Sequence, residues 1–335
     1  MSIASSIRAA RNVLKRYGFK TFFKQTVLKL KKHNFEKAGL FLSREQIMPV
    51  PSFLGRKRMI KGLVTVVIPC YNHESFIKEA LMSIYKQDYK DIEIIVVDDC
   101  SSDDSPNIIQ NLFEEWKKEK RFKNQKFVIH KENKGAHYSI DEAINLGAGE
   151  YFAVLNSDDK YDTNRFSVLV DLVEKGNAGL AFSKVAVIDE KGMLKQNTPF
   201  SALQKNIEKK HMFLGLCADN LAISSGNLFF KREIVEKIGL FRDFKYIHDW
   251  DFLMRSALTK KVVYCEGTTY YYRMHSTNSY LELVGNTELC DEEMVEMRSR
   301  VFAVVYEKPI SGFYSEEDYP KIVDLLYRRL INNLR

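Results

Sequence analysis

The stretch Ile94-Ile95-Val96-Val97-Asp98-Asp99 is an uninterrupted apolar run that ends in two carboxylates. The same design returns at Tyr151-Phe152-Ala153-Val154-Leu155, which leads through Asn156-Ser157 into Asp158-Asp159. A third acidic group, Asp249 and Asp251, flanks Trp250 in His248-Asp249-Trp250-Asp251. Short, wholly apolar runs read as strands buried on both faces, as in parallel sheets. Carboxylates at their ends then line the rim of the sheet, where ligands of α/β folds bind. Holding several carboxylates together is costly unless a cation or hydrogen-bond donors compensate them. The pattern therefore predicts a site that takes up a metal ion and a phosphate-bearing ligand.

Outward from these runs, strand and helix alternate. Residues 63–69 read as a buried strand, and residues 74–87 as a helix with Ile77, Leu81 and Ile84 on one face. The strand at 92–97 is followed by a helix capped by Ser105, with Pro106 at its first position, where proline is tolerated. Ile109, Leu112, Phe113 and Trp116 form that helix's apolar stripe. Strands at 126–130, 151–155 and 178–187 alternate with helices at 138–146 and 165–174. This order predicts an α/β fold, a largely parallel sheet with helices on both faces. Beyond Gly192 the pattern is mixed: helices near 207–216, at 232–238 and at 250–258, and strands at 226–230, 262–265 and 269–273. From Thr287 onward two amphipathic helices broken around Pro309 are expected, packed on the body or pairing two subunits.

The 335 residues suffice for one large domain with helical additions, and 45% apolar with 28% charged residues is ordinary for a globular protein. No apolar run approaches the ~20 residues needed to span a bilayer. Arg8, Arg11, Lys15 and Arg16 interrupt any signal-peptide core at the N-terminus. Five widely spaced cysteines without zinc-type spacing read as reduced thiols in a cytoplasmic setting.

The net charge of +7 is uneven: residues 1–62 carry 15 Lys/Arg against Glu36 and Glu45, a net of +13, while the remainder carries 36 basic and 42 acidic residues, a net of −6. This arm reads as two short amphipathic helices suited to an anionic membrane surface. The alternative is a basic helix packed on the body or on a second subunit, as in a homodimer. No recognised nucleic-acid module accompanies the charge. Residues 46–62, with Pro49, Pro51, Gly55 and Gly62, read as the linker into a body of residues 63–280, with residues 281–335 as a helical extension.

Several rim residues carry candidate chemistry. After the first strand, Pro69-Cys70-Tyr71-Asn72 offers Tyr71 to stack a base and Asn72 to bond its edges, or forms a plain strand-to-helix turn. No Gly-x-Gly-x-x-Gly or P-loop is present, which disfavours ordinary dinucleotide and ATP cradles. Asp99 can accept from a ribose hydroxyl or a base N–H, while Asp103 and Asp104 read as helix caps. Asp158 and Asp159 suit a divalent ion that bridges two phosphates. Asp249 reads as a general base and Trp250 as a wall for a sugar ring, or else as a capped helix with Trp250 in the core. His248 is placed to tune or orient Asp249. On an extended chain Arg273 and His275 point the same way, toward a diphosphate and a metal respectively. The other histidines show no ligand spacing.

Taken together, the segments at 64–72, 96–102, 133–135, 149–159, 225–230, 248–255 and 272–279 closely resemble the family-two glycosyltransferases with the GT-A fold, in the family's order. The resemblance covers residues 63 to about 280. It implies inverting transfer of a sugar from a nucleotide diphosphate donor, with a preference for UDP, to a hydroxyl of a glycan or lipid-linked acceptor, assisted by Mn²⁺ or Mg²⁺. By that resemblance Pro69, Tyr71 and Asp99 match the base- and ribose-binding positions, Asn72, Asn133 and Gly135 fall in the nucleotide-binding segments, and Asn156-Ser157-Asp158 matches the Asp-x-Asp signature. Asp249 matches the catalytic base, and Gly226, Asn227 and Trp250, with His248 beside it, fall where acceptor contacts are expected. Asn156 stands where the signature's first aspartate is expected, which moves the metal burden to Asp158, Asp159 and His275. In the implied mechanism the metal and Arg273 offset charge on the departing nucleotide, while Asp249 takes the acceptor's proton. Surface polysaccharide assembly is the expected setting. A non-catalytic nucleotide-sugar or glycan-binding protein is the rival from another class. A nucleotidyltransferase is disfavoured because residues 70–75 contain no glycine, lysine or arginine.

Overall fold

Alternation along the strands sets the layers of this protein, whose computed structural model describes residues 59–204, 207, 212–276, 278, 287–307 and 319–333. Strands β1 (Ile60–Cys70), β2 (Ile92–Asp98), β3 (Asn124–Ile129) and β4 (Gly149–Val154) come first, then β5 (Lys160–Tyr161), β6 (Leu180–Ile188), β7 (Phe229–Lys231) and β8 (Val262–Arg273). They form one eight-stranded sheet in the order β3-β2-β1-β4-β7-β6-β8-β5. Pairs β1–β2, β1–β4, β2–β3 and β6–β8 run parallel. Strand β7 runs antiparallel to both β4 and β6, and β5 antiparallel to β8. The expected α/β sheet is thus present but mixed. The antiparallel members are two- and three-residue strands, too short to show a period in sequence.

Helices α1 (Ile77–Tyr85), α2 (Ser105–Glu119), α3 (Ala136–Leu146) and α4 (Arg165–Lys175) connect the first strands. Then come α5 (Pro199–Gln204), α6 (Met212–Ala218), α7 (Arg232–Ile238), α8 (His248–Ala257), α9 (Thr287–Glu307) and α10 (Tyr319–Asn333). Successive strand side chains face opposite ways. Val64, Val66 and Ile68 of β1 therefore join Ile94 and Val96 of β2 under Leu81, Trp116 and Leu169 of α1, α2 and α4. Val67, Ile95, Val97 and Phe152 face the other way, against Ile140, Ile234, Phe252 and Val301 of α3, α7, α8 and α9. Fully burying each such aliphatic side chain is worth roughly 1.5–3 kcal/mol, so these two layers hold the sheet.

The helix pair expected after Thr287 is seen as α9 and α10. The expected strands at 262–265 and 269–273 are one strand, β8, whose pairing with β6 shifts register between Ser183 and Lys184. A helix expected near 207–216 appears as α5 and α6. The strand expected at 226–230 opens as a 3₁₀ turn, Ser225–Asn227, before β7. Helix α2 begins one residue beyond Asp104, and Ser105 lies inside it. The basic arm, with its expected membrane or subunit contact, lies outside the described residues. Among the described residues no helix is long and apolar enough to cross a membrane. All five cysteines are free thiols; Cys70, Cys217, Cys265 and Cys290 are buried and Cys100 is half-buried. Burial first, then the neighbouring Asp98 charge, pushes the Cys70 thiol up to about 12.

Gly149 opens β4 where it crosses β1. A Cβ there would lie 2.5 Å from Thr65 Oγ1 and 2.7 Å from the carbonyl oxygens of Leu63 and Tyr151. Backbone oxygens cannot swing aside, so Gly149→Ala is expected to destabilise the fold by about 1–3 kcal/mol. Urea unfolding checks this, and a midpoint equal to wild type would contradict it.

Candidate active site

The chain runs β1 to β2 to β3 on one side of β1, then returns to lay β4 on the other. Such a reversal opens a crevice at the carboxyl ends of the parallel strands. The loop after β1 and the turn after β4 form its walls.

On the β2 side the loops are tied together. Asn72, at φ 53°, donates its N–H to Ser101 Oγ and accepts from the Ser102 N–H, both at 2.8 Å. Glu74 N–H donates to Asp103 at 2.8 Å, and Asp103 also accepts from Ser105 N–H at 3.0 Å. Asp103 thus caps as expected, whereas Asp104, the residue preceding the helix, makes no side-chain cap bond. Asp99, 3% exposed, accepts from the N–H groups of Lys134 and Gly135 at 2.8 and 2.7 Å and pairs with His130 Nδ1 at 2.7 Å. Its two oxygens therefore hold the 133–135 turn, where Gly135 sits at φ 90° and Asn133 Oδ1 also accepts from its N–H at 3.2 Å. Pro69 pairs in register with Val97, and Tyr71 stands 46% exposed at the mouth. Of the expected nucleotide-wall residues, Tyr71, Asn72 and Asn133 are open to solvent, and Asp99 builds the wall behind them.

The turn after β4 separates its two aspartates. Asp158 Oδ2 lies 2.9 Å from His275 Nε2, 4.0 Å from His73 Nε2 and 3.4 Å from Asn278 Nδ2. The ligand atoms of His73, Asp158 and His275 all lie within 4.8 Å of one another. His73 Nδ1 is engaged by Ser157 Oγ at 2.7 Å, and His73 N–H donates to Ser105 Oγ at 3.0 Å. Holding one ring nitrogen this way orients the other, as in outer-shell support of metal-binding histidines. Burial alone would raise Asp158, but the His275 hydrogen bond and the His73 and His275 charges outweigh it and hold its carboxyl below the usual range. Burial is the largest influence on His73 and lowers its pKa, which favours the lone-pair form of the imidazole, against the opposing pull of the Asp158 charge.

Asp159 points elsewhere. One oxygen accepts from Arg273 N–H at 2.7 Å, and the other meets Tyr270 Oη and, at 3.2 Å, Asn156 Nδ2. Burial and the adjacent Asp158 charge push its pKa well up. These bonds tie the turn to the end of β8. Asp159, expected as a metal ligand, is thus bonded toward β8 and stands outside the His73–Asp158–His275 group.

Arg273, expected to meet a diphosphate, is also bonded inward. Its guanidinium is buried, donating to Asp158 O at 2.7 Å, to the carbonyls of Asp189 and Glu190 at 3.1 and 3.2 Å, and to the Glu79 carboxylate. That leaves His73 as the residue the sequence does not single out. No second histidine stands near it in the chain, so it shows no ligand spacing. Its one signal is its place, just beyond the strand at the fold's reversal.

Asp249 lies in the first turn of α8, 7% exposed. It accepts from Asn220 Nδ2 at 2.9 Å and from Trp250 N–H at 2.7 Å. Burial raises its pKa, with His248 opposing. Asn220 Oδ1 also accepts from Ile223 N–H at 3.3 Å, and one residue on, Ser224 Oγ meets Asn156 Nδ2 at 2.9 Å. The segment 220–225 thus links Asp249 to the turn that carries Asp158.

The expected acceptor contacts divide. Asn227 is fully buried and bonded to Ser183, Ala222 and Arg165. Trp250 donates to Leu216 O at 2.8 Å and lies 5.0 Å from the Arg298 guanidinium, so its ring belongs to the core rather than to an open wall. Gly226 is required because a Cβ would strike Tyr270 Oη and lie 3.1 Å from Asn156 N. Neither ring nitrogen of His248 has a hydrogen-bond partner among the described residues.

A sheet of this topology with carboxylates gathered at its reversal is the GT-A architecture of glycosyltransferases. The sequence profile described as glycosyl transferase family 2 matches residues 65–239, more than half of the chain, which therefore belongs to that family. A Campylobacter jejuni GalNAc(5)-diNAcBac-PP-undecaprenol beta-1,3-glucosyltransferase is 30% identical over 176 residues, covering 52% of this chain and 53% of that protein. An uncharacterised glycosyltransferase of Rickettsia felis is 27% identical over 282 residues, covering 78% of this chain and 44% of that protein. The chain thus spans about half the length of these curated relatives. Residues 1–349 of Staphylococcus aureus TarS, in complex with UDP-GlcNAc, share the fold with a TM-score of 0.59 at 17% identity, over 81% of this chain and 73% of that one. The mannosyltransferase PcManGT of Pyrobaculum calidifontis, in complex with GDP-Man and Mn²⁺, gives 0.56 at 16% identity, over 93% and 81%.

Two atoms bound to one ion at ~2.1 Å stand at most about 4.2 Å apart, so the His73–Asp158–His275 group needs little adjustment to hold a cation. His73→Ala is expected to weaken Mn²⁺ binding at least ~10-fold, whereas Asp159→Asn leaves it within about threefold. Isothermal titration measures both; equal losses in the two variants would contradict the division of roles.

Proposed function

We propose that this protein is an inverting, divalent-metal-dependent glycosyltransferase. It moves a sugar from a UDP-sugar to a hydroxyl of a glycan or lipid-linked acceptor in the synthesis of a bacterial surface polysaccharide. The observation that carries this reading is Asp249, a buried carboxylate with a raised pKa, linked through residues 220–225 to the turn bearing Asp158. A general base works best with a pKa near the operating pH, so burial improves Asp249 for the task. Its Asn220 and Trp250 bonds fix the carboxylate's direction before the acceptor arrives.

On the donor side Tyr71 stacks the base, and the wall held by Asp99 receives the ribose. His73, Asp158 and His275 hold the cation. Of the two ions implied by the resemblance, Mn²⁺ suits two imidazoles and a carboxylate better than Mg²⁺, which prefers oxygen ligands. Bound there, it supplies positive charge against the nucleotide diphosphate leaving group. With Arg273 committed to the interior, that charge would come from the cation that these three residues hold. Asp249 takes the proton from the acceptor hydroxyl as its oxygen attacks the anomeric carbon opposite the departing nucleotide.

The relative that acts on an undecaprenol-linked glycan and the basic residues 1–33 both favour a lipid-linked acceptor reached at the cytoplasmic face of the membrane.

Asp249→Asn is expected to lower transfer by ~10²–10⁴-fold while leaving UDP affinity unchanged. Turnover and UDP titration, run on the same preparation, check this; retained turnover removes Asp249 from the role. The base must be ionised, so turnover falls as pH drops through the Asp249 pKa. Because burial raises that value, the acid limb of the rate profile is expected above the ~3.9 of an ordinary aspartate. A limb at the ordinary value would point to a different group.

A further inference from the structure

Helix α8 begins without a side-chain cap of its own, since Ile247 precedes it and has no acceptor to offer. The acceptor comes instead from α9. The Glu293 carboxylate, 8% exposed, receives the N–H groups of Lys245 at 2.6 Å, Tyr246 at 3.0 Å and Ile247 at 3.3 Å. Three successive amides converging on one buried carboxylate form an anion nest, and charge-assisted bonds of this kind are about twice as strong as neutral ones. Asp249 lies two residues beyond the last of these amides. Helix α9 also touches the residue after it: the Arg298 guanidinium lies 5.0 Å from the Trp250 ring centroid and donates to Ala218 O at 3.4 Å.

The same turn is held from two further directions. Phe241 N–H donates to Asp141 at 2.9 Å, and Arg242 pairs with Asp251 at 3.1 Å. Those contacts fix the turn's start and the helix's second acidic residue. Glu293 takes the three amides that lead directly into α8. Residues 240–335, including α8 and α9, lie beyond the segment matched by the family profile, which ends at residue 239.

We propose that Glu293 is a positioning residue for the transfer reaction: from α9 it fixes the turn that opens α8 and so aims the Asp249 carboxylate. This rests on the reading of Asp249 as the base. A displacement of ~1 Å in a reacting group can cost about 10²-fold in rate, so a loosened turn acts on turnover before it acts on binding.

The test compares Glu293→Ala and Glu293→Gln with wild type and Asp249→Asn, in the full chain, with the donor and acceptor that wild type turns over. Nucleotide-competent sites are counted by UDP titration and kcat is expressed per site, which removes any loss of folded protein. Glu293→Ala is expected to lower kcat per site at least ~10-fold with the donor KM within about twofold. Glu293→Gln, which keeps the volume and one acceptor, is expected to fall between, and it decides the question by the same criteria should the alanine variant fail to fold. A kcat per site within about twofold of wild type in a folded variant overturns the proposal, as does a loss confined to donor KM. Retained turnover in Asp249→Asn overturns the base assignment instead, so the two failures are distinguishable.

Discussion

Two adjacent carboxyl groups buried at the end of β4 set the constraint on which this site depends. Both cannot be ionised cheaply at such proximity, and the chain resolves the conflict by giving them opposite surroundings. Asp159 receives Tyr270, Asn156 and the Arg273 amide and is pushed toward its neutral form. Asp158 receives two histidines and is held ionised. One carboxyl locks the turn onto β8, and the other faces the crevice. Because His275 closely follows β8, the lock also brings that imidazole to Asp158.

The same economy recurs around Asn227. Asn227, Arg165 and Ser183 form a buried network beneath the 3₁₀ turn, and that turn carries the bonds that join Asn156 to residues 220–225. Most polar atoms of this network are bonded to one another, Arg165 Nε being without a hydrogen-bond partner among the described residues, and bonding of this kind favours a single arrangement. Hence the site's exposed surface is small, while the set of residues that shapes it reaches deep into both layers.

Much of this is legible in the chain itself, for physical reasons. The β1–β4 half follows from apolar runs that only a doubly covered sheet can bury, and α7, α9 and α10 follow from helical periodicity. Asp158, Asp249 and His275 stand out because charge after a strand, or at a helix start, has to be explained. The two-residue strand β5 is not legible, since so few residues carry no period; strands are expected at β7 and β8, but not the 3₁₀ opening before the one or the continuity of the other, because a register shift leaves no local mark. Nor can sequence separate the surroundings of Asp158 from those of Asp159, or show that Arg273, Asn227 and Trp250 are bonded into the interior. Their partners lie far along the chain, and only packing decides whether a polar group meets substrate or scaffold. His73 is hidden by the same distance.

The distribution of thiols has a practical side. Four of the five sulfurs lie under apolar cover, and that of Cys70 is further deterred from ionising by its surroundings. Cys100, next to Asp99 at a left-handed φ of 67°, is the half-buried exception. A maleimide fluorophore would accordingly attach there in preference to the rest, yielding a singly tagged protein whose emission reports directly on events at the β2 side of the crevice.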